Sequence, residues 1–517
     1  MGSAKREAPA RPTKAGPVLR YRTVAIAAAG IVALAAGAIG LWALLNAEGS
    51  GAAFTPGRVA VHAIVPATAE GEIKRIAADM TDEILGAFSR RRVDAALAPE
   101  EDARQRRGKP EIAVSGSLSK EESRYVADLR FDDTSAMTLW SARFESGERS
   151  VLDFQKEIGD RAAFVVRCAL ARRDSAVNPE RALLLSLYIK GCDQLLAVED
   201  SYMLIETGKA LVKAGPGEAG AHAFLAEALA QSVWDGDVPK AEQEKRRQAA
   251  HDAGKRALEI DPRNANAYYA MAISFGYGAH WAEREALLLK AADSDPGVVA
   301  IFELATFYVE TGRWREALTT FRRAMSLDEN AFPMMYAAQL YLAAGDRAEA
   351  NRLFDQARRT KAEDTLWNEF VANAMYGDAA RAAALLPAYA KMRSLKDSQT
   401  ACESEFLKAR QGARISGARL LDVCRNQDYL ARRLAAIGEI DLAFAEAEKW
   451  FEQPIEETTF LFAPELREFR RDARFMPLAA RLGLVDYWRA SNHWPDFCAE
   501  PDFPYDCKAA AKAAQAK

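Results

Sequence analysis

Six cysteines fall as three near-neighbour pairs: Cys168 with Cys192, Cys402 with Cys424, and Cys498 with Cys507. Six cysteines admit fifteen connectivities, so spacing alone does not fix the pairing. The separations of the first two pairs suit adjacent antiparallel helices, and Cys498 and Cys507 bracket a Pro-rich loop. Thiols outside the cytosol are not kept reduced, so an exported chain favours disulfides at all six positions, whereas a cytosolic one would keep buried free thiols. His493, Cys498 and Cys507 lack a fourth partner for a metal site. The five histidines, His62, His222, His251, His280 and His493, are scattered, and no His-Glu-x-x-His helix, Gly-x-Ser-x-Gly elbow or phosphate-binding Gly-Lys loop is present. The Gly-rich run Ala214–Gly220 lacks the Lys-Ser/Thr of such a loop and reads as a linker, and Asp132-Asp133 reads as a turn rather than a catalytic carboxylate pair. The expectation is a protein that is not an enzyme and has no cofactor and no metal.

The elements that carry these residues are set by a repeat over Ala265–Ala362. Three units starting at Ala265, Val298 and Ala331 each place an alanine early (Ala272, Ala305, Ala338), a large apolar residue later (Leu288, Phe321, Phe354) and a second alanine three residues on (Ala291, Ala324, Ala357). A period of 33 to 34 residues signals a stacked array of helix pairs, with small residues where backbones approach and large ones between pairs. Turns such as Thr311-Gly312-Arg313 and Ala344-Gly345-Asp346 separate the two helices of a unit. The pattern resembles the tetratricopeptide repeat. The first unit departs from it, with Arg284 where a small residue is expected.

Half of the 517 residues are hydrophobic and 27% are charged, and Lys+Arg 69 against Asp+Glu 73 leaves a net charge of −4. That balance argues against a general nucleic-acid-binding surface. From Thr23 to Ala47 there is no charged residue, which is long enough to span a bilayer. Lys5, Arg6, Arg11, Lys14, Arg20 and Arg22 precede the run and Glu48 follows it, so the positive-inside rule places the N-terminus in the cytoplasm and the bulk of the chain outside it. The competing reading, a cleaved signal peptide, fits less well: the apolar run is too long and no Ala-x-Ala site follows Leu45.

Between the linker and the repeats the period changes to that of a small α/β unit. Arg58–Val65 reads as a strand ended by Pro66, Glu70–Arg90 as a helix, Ile112–Leu118, Tyr125–Phe131 and Leu139–Phe144 as strands, and Asp153–Arg172 as an amphipathic helix. The strand opening into Pro66, Met80-Thr-Asp-Glu-Ile-Leu, Val114-Ser-Gly-Ser-Leu, and Leu139-Trp-Ser-Ala-Arg-Phe followed by Phe154-Gln-Lys-Glu-Ile resemble the TolB amino-terminal-like domain. In bacterial proteins of that type the domain commonly precedes tetratricopeptide repeats, and some carry a cytoplasmic DNA-binding or cyclase domain, for which the 22 residues before Thr23 leave no room.

The expected organisation is therefore a mostly α chain: a basic cytoplasmic tail (1–22), a transmembrane helix (23–45), a linker (46–56), the TolB-like α/β domain (57–173), a tetratricopeptide-like α-solenoid (174–485) and an aromatic, Cys-containing tail (486–517) whose last ten residues read as a frayed helix or as disordered. In tetratricopeptide repeats the first helix of each pair lines a groove. The resemblance puts Asn266, Tyr269, Ile273, Phe302, Thr306, Phe332, Met335 and Gln339 on that face, as partner-binding residues for a protein or peptide. The opposing expectation is that the groove is filled in cis by a neighbouring helix or by the α/β domain. The functional expectation is a non-catalytic scaffold, single-pass in a bacterial inner membrane with its bulk in the periplasm. The alternative is a transmembrane sensor-regulator signalling through the short tail.

Overall fold

Alternating apolar residues in 112–145 are realised as the long strands of one sheet. The computed structural model describes residues 59–68, 71–98, 111–133, 135–147, 149–172, 181–197, 201–233, 238–275, 280–294, 298–327, 331–359, 362–425, 430–451 and 459–515. The expected span at 23–45 lies outside them, and among the described residues no helix is long and apolar enough to cross a membrane.

The sheet consists of β1 (Val59–Val61), β2 (Val65–Pro66), β3 (Ala95–Leu97), β4 (Ile112–Glu121), β5 (Arg124–Asp132) and β6 (Thr138–Glu145), in the order β3-β1-β4-β5-β6 with β2 also on β4. β1 runs parallel to both β3 and β4, while β4, β5 and β6 form an antiparallel meander with Val114 opposite Phe131 and Phe131 opposite Trp140. The single strand expected over 58–65 is two short pieces, because β1 pairs with Ile112–Val114 and β2 with Ser117–Leu118. β3 has no counterpart in the sequence reading: Ala-Ala-Leu has weak strand character, and its parallel partner β1 lies more than thirty residues away.

Two helices, α1 (Gly71–Arg90) and α2 (Val151–Arg172), pack on one another beside the sheet, with Ile76, Met80, Ile84 and Phe88 from the first and Phe154, Ile158, Ala162 and Val166 from the second almost wholly buried. The same apolar core runs on without a break into α3 (Arg181–Ala197), α4 (Ser201–Ala214) and α5 (Ala219–Ser232), ending at Ala228. Asp193 of α3 ties the layers together: it accepts from Trp140 Nε1 of β6 at 3.0 Å and from Arg161 Nε of α2 at 2.8 Å.

After α6 (Lys240–Ile260) come the repeats, as antiparallel pairs: α7 (Ala265–Ser274) with α8 (Trp281–Ser294), α9 (Val298–Glu310) with α10 (Trp314–Leu327), α11 (Ala331–Ala343) with α12 (Arg347–Arg358), and α13 (Ala362–Met375) with α14 (Ala379–Met392). The repeated alanines and large residues do the packing expected of them. Ala272, Ala305, Ala338, Ala291, Ala324 and Ala357 are fully buried, as are Phe321 and Phe354, with Leu288 nearly so. The array is thus a tetratricopeptide-like solenoid. It continues through α15 (Asp397–Arg410), α16 (Gly417–Val423), α17 (Leu430–Ala436) and α18 (Ile440–Ala447).

The C-terminal segment folds back on the array instead of trailing from it. α19 (Arg467–Arg471), α20 (Phe475–Arg481), α21 (Leu484–Ser491) and α22 (Cys507–Gln515) share the core of the repeats, and Ala511 in α22 is fully buried. The expectation of a frayed end fails for 507–515, because a helical alanine face finds apolar neighbours there. The fold-back is fixed at the α9–α10 turn. Trp488 Nε1 donates to Thr311 O at 3.1 Å, the Asp496 amide to Gly312 O at 2.9 Å, and the Arg315 amide to Asp496 Oδ2 at 3.0 Å.

Gly312 is needed there twice over. Its φ is +78°, and a Cβ would lie 2.6 Å from Pro495 Cβ and 2.7 Å from Phe462 Cδ1. Gly345, one repeat later, has φ +86° with nothing within 4 Å of that point. Gly345→Ala therefore carries the left-handed backbone penalty alone, about 1–2 kcal/mol. Gly312→Ala is expected to add about 1–3 kcal/mol of overpacking and to expose the C-terminal segment to limited proteolysis. Equal cleavage and equal unfolding of the two variants would contradict this.

All three cysteine pairs are disulfides, with Cα atoms 5.9, 4.9 and 5.8 Å apart. Cys168–Cys192 staples α2 to α3, Cys402–Cys424 joins α15 to the end of α16, and Cys498–Cys507 closes the loop before α22. Denatured without reductant, native protein should yield few alkylatable thiols, and six per chain would be the contrary result. Loss of a single bond should cost about 2–4 kcal/mol.

Candidate functional site

Chemistry-bearing side chains inside the repeats are mostly ion pairs that serve packing. Arg284, the departure from the repeat pattern, is 2% exposed and pairs with fully buried Glu310 at 2.7 Å. Arg313, 3% exposed, lies over the Tyr308 ring at 4.2 Å, donates to Tyr487 Oη at 2.8 Å and pairs with Glu285 and Glu316. Glu303 on α9 shares the Arg284 neighbourhood. Burial raises its carboxyl from 4.5 to about 7, against the pull of Arg284 and with the push of Glu310.

This shift has a sign for stability. Below about pH 4.5 both folded and unfolded chains hold the Glu303 proton. Between there and about 7 only the folded chain does, so stability falls as pH rises and the contribution is gone above the folded value. The change is about 3 kcal/mol at most. Glu303→Gln is expected to flatten the decline of urea midpoints between pH 5 and 8, and an unchanged slope would contradict the assignment.

Elsewhere Asp133 is a turn residue. Burial pushes its carboxyl up, but the Ser135 hydroxyl and the amides of Met137 and Ser135 together outweigh that and hold it below the usual range. Among the described residues no group of three or more His, Cys, Asp or Glu side chains is placed to hold a metal ion.

The candidate docking site is a cavity of about 380 Å³ on the face made by the first helices of successive pairs. Thr306 of α9, Gln339 of α11 and Asn368 of α13 line it along the array, with Trp314 and Phe321 of α10 behind. Tyr389 and Arg393 at the end of α14, Glu403 of α15, Arg432 and Arg433 of α17, and Ala463 close its far side. Gln339 Nε2 donates to Asn368 Oδ1 at 2.6 Å and Tyr376 Oη to Gln339 Oε1 at 3.4 Å. Burial pushes the Tyr376 and Tyr389 phenols upward, so both stay neutral. Phe370 and Tyr389 stack with centroids 4.0 Å apart. Trp367 is 43% exposed, with the Arg393 guanidinium 5.6 Å over its ring.

Of the seven residues expected on this face whose side chains are described, Thr306 and Gln339 line the cavity and the other five do not. Met335 is fully buried and Tyr269 9% exposed, Phe302 packs half-buried against Tyr336 and Phe321 at 5.1 and 5.6 Å, and Asn266 and Ile273 are half-buried. The Phe332 side chain lies outside the described residues. The physical reason is the close approach of successive first helices: Met335 Sδ sits 3.4 Å from Thr365 Oγ1 and 3.7 Å from Asn368 Nδ2 of the next pair. One further step of 33 residues along the phase Tyr269–Phe302–Met335 reaches Asn368, so the sequence did hold a signal for the α13 contribution. Nothing local marked Arg432 and Arg433 of α17, in the continuation of the array, or Ala463, which follows it. Among the described residues the α/β layer contributes none to the lining. It meets the array at the far ends of second helices, through Arg92 Nη2 to Ser326 O at 3.2 Å and Lys156 Nζ to Arg359 O.

No family model matches the chain, and no curated protein matches it. Among solved structures the chain is similar to one described as "YrrB: a TPR protein with an unusual peptide-binding site", at 20% identity and a TM-score of 0.29, over 39% of this chain and 98% of that one. A likeness that slight leaves the helix pairs themselves to define the fold.

Proposed function

We propose that this chain is a non-catalytic interaction scaffold, anchored in a bacterial inner membrane by residues 23–45, with a TolB amino-terminal-like layer and a tetratricopeptide-like array presented to a protein or peptide partner in the periplasm. The carrying observation is the aromatic-walled cavity on the first-helix face, with exposed Trp367 at its side. Docking sites combine an apolar, well-formed recess with a few placed polar groups, and aromatic and Arg side chains dominate their energetics. The uncharged run after six basic residues supports the topology. Three disulfides accord with an oxidising compartment.

A photo-crosslinking side chain placed at Trp367 and, as a control, at Val299, which is 52% exposed outside the cavity, tests the site in intact membranes. A partner adduct is expected from position 367 and not from 299. Equal labelling at both, or none at 367, would remove the cavity as the docking site.

A further inference from the structure

We propose that the cavity takes an apolar side chain of a partner peptide that carries a side-chain carboxylate beside it, the carboxylate being met by Arg393. This rests on the docking reading above and names its ligand.

The charges of the lining are nearly all matched within the chain. Glu403 and Arg433 pair at 2.5 Å, both largely buried, and Arg432 pairs with Glu465, which is 1% exposed. Arg393 differs. It is exposed, it lies over Trp367, and no carboxylate stands within ion-pairing distance of it among the described residues. Among the described residues the lining is therefore left with one unmatched charge, positive, next to its most exposed aromatic wall. Other polar groups of the floor are satisfied: the amides of Gln339 and Asn368 bond one another, and Tyr376 bonds Gln339. The Trp314 indole N–H is a second donor at the lining, buried with no hydrogen-bond partner among the described residues. What the lining leaves open is a partner for these two donors, one of them charged, and what its walls offer is apolar contact with Trp367, Val371 and Leu395.

Electrostatic complementarity of this kind selects partners by sign. An acidic neighbour to the inserted side chain gains a charge-assisted bond, whereas a basic neighbour meets a like charge. A guanidinium laid over an indole is also held in place before the partner arrives, so less side-chain freedom is lost on binding.

The test uses the full-length chain in detergent and short fluorophore-labelled peptides, acetylated and amidated so that they carry no terminal charge. Each has phenylalanine preceded by aspartate, asparagine or lysine, and binding is read by fluorescence anisotropy. The aspartate peptide is expected to bind about tenfold more tightly than the asparagine one, and the lysine peptide more weakly than either. Arg393→Gln should make aspartate and asparagine equal while leaving the melting temperature unchanged. Trp367→Ala should weaken all three. Equal affinities on the native chain, a preference that survives Arg393→Gln, or no binding of any peptide at millimolar concentration would overturn the proposal. If a partner is still crosslinked at position 367 in that case, only the ligand assignment falls; if it is not, the docking site falls with it.

Discussion

Arg284→Ala is expected to lower the stability of the array by about 3–5 kcal/mol, because it leaves a fully buried carboxylate without its partner. The guanidinium does more than neutralise Glu310. It fills space between aromatic rings, 5.5 Å from the Phe307 centroid and 5.9 Å from that of Trp281. Trp281 in turn donates its indole N–H to Leu482 O at 2.8 Å, so the same site anchors the returning C-terminal segment. The variant should shift the urea midpoint of the repeats and release α21 to protease. A buried ion pair is weak evidence for stability in itself, since apolar replacements of similar volume are often neutral or better. The double variant Arg284→Met, Glu310→Leu is accordingly expected to recover most of the loss. If Arg284→Ala unfolds like the native chain, the pair is not the lock described here. If the double variant is no better than the single one, shape rather than charge is what Arg284 provides.

Arg284 also shows where sequence reading reaches its limit. At its position the repeat pattern asks for a small residue, and from α8 alone the arginine looks like a flaw. Its partner Glu310 lies at the end of the next first helix, 26 residues on, and no local period links them. The same division holds elsewhere. The alanines at 272, 305 and 338 were legible because helix–helix approach repeats with the chain, and the disulfide partners because they sit on neighbouring elements. β3 was not legible, since a three-residue strand exists only through its distant partner. The cavity was legible by half: its wall along α9, α11 and α13 follows the repeat phase, and its closing side from Glu403 to Ala463 comes from later helices of the array and the segment after them, which the 33-residue period does not reach.

The phase of Tyr269, Phe302 and Met335 gives the second large effect. Met335→Ala is expected to cost about 2–5 kcal/mol, the penalty for emptying a fully buried position that cannot collapse freely. Met335 is wedged against α13 at Thr365 and Asn368, so the loss should be felt as a loosening of one pair from the next. Phe302→Ala, at the same phase but half-buried between Tyr336 and Phe321, should cost less but act in the same way. Trp367→Ala is the counterpart. With 43% of the residue exposed, truncation should change stability by less than about 1 kcal/mol and act on partner capture instead. Thermal unfolding of the three variants, set beside partner crosslinking from an unaltered cavity position such as Gln399, separates core from docking surface. The pattern expected is a low melting temperature with Met335→Ala, and a native one with lost crosslinking with Trp367→Ala. A native melting temperature for Met335→Ala combined with lost crosslinking would return the docking face to the phase of Tyr269, Phe302 and Met335, and the cavity would then be a packing defect between α13 and α17.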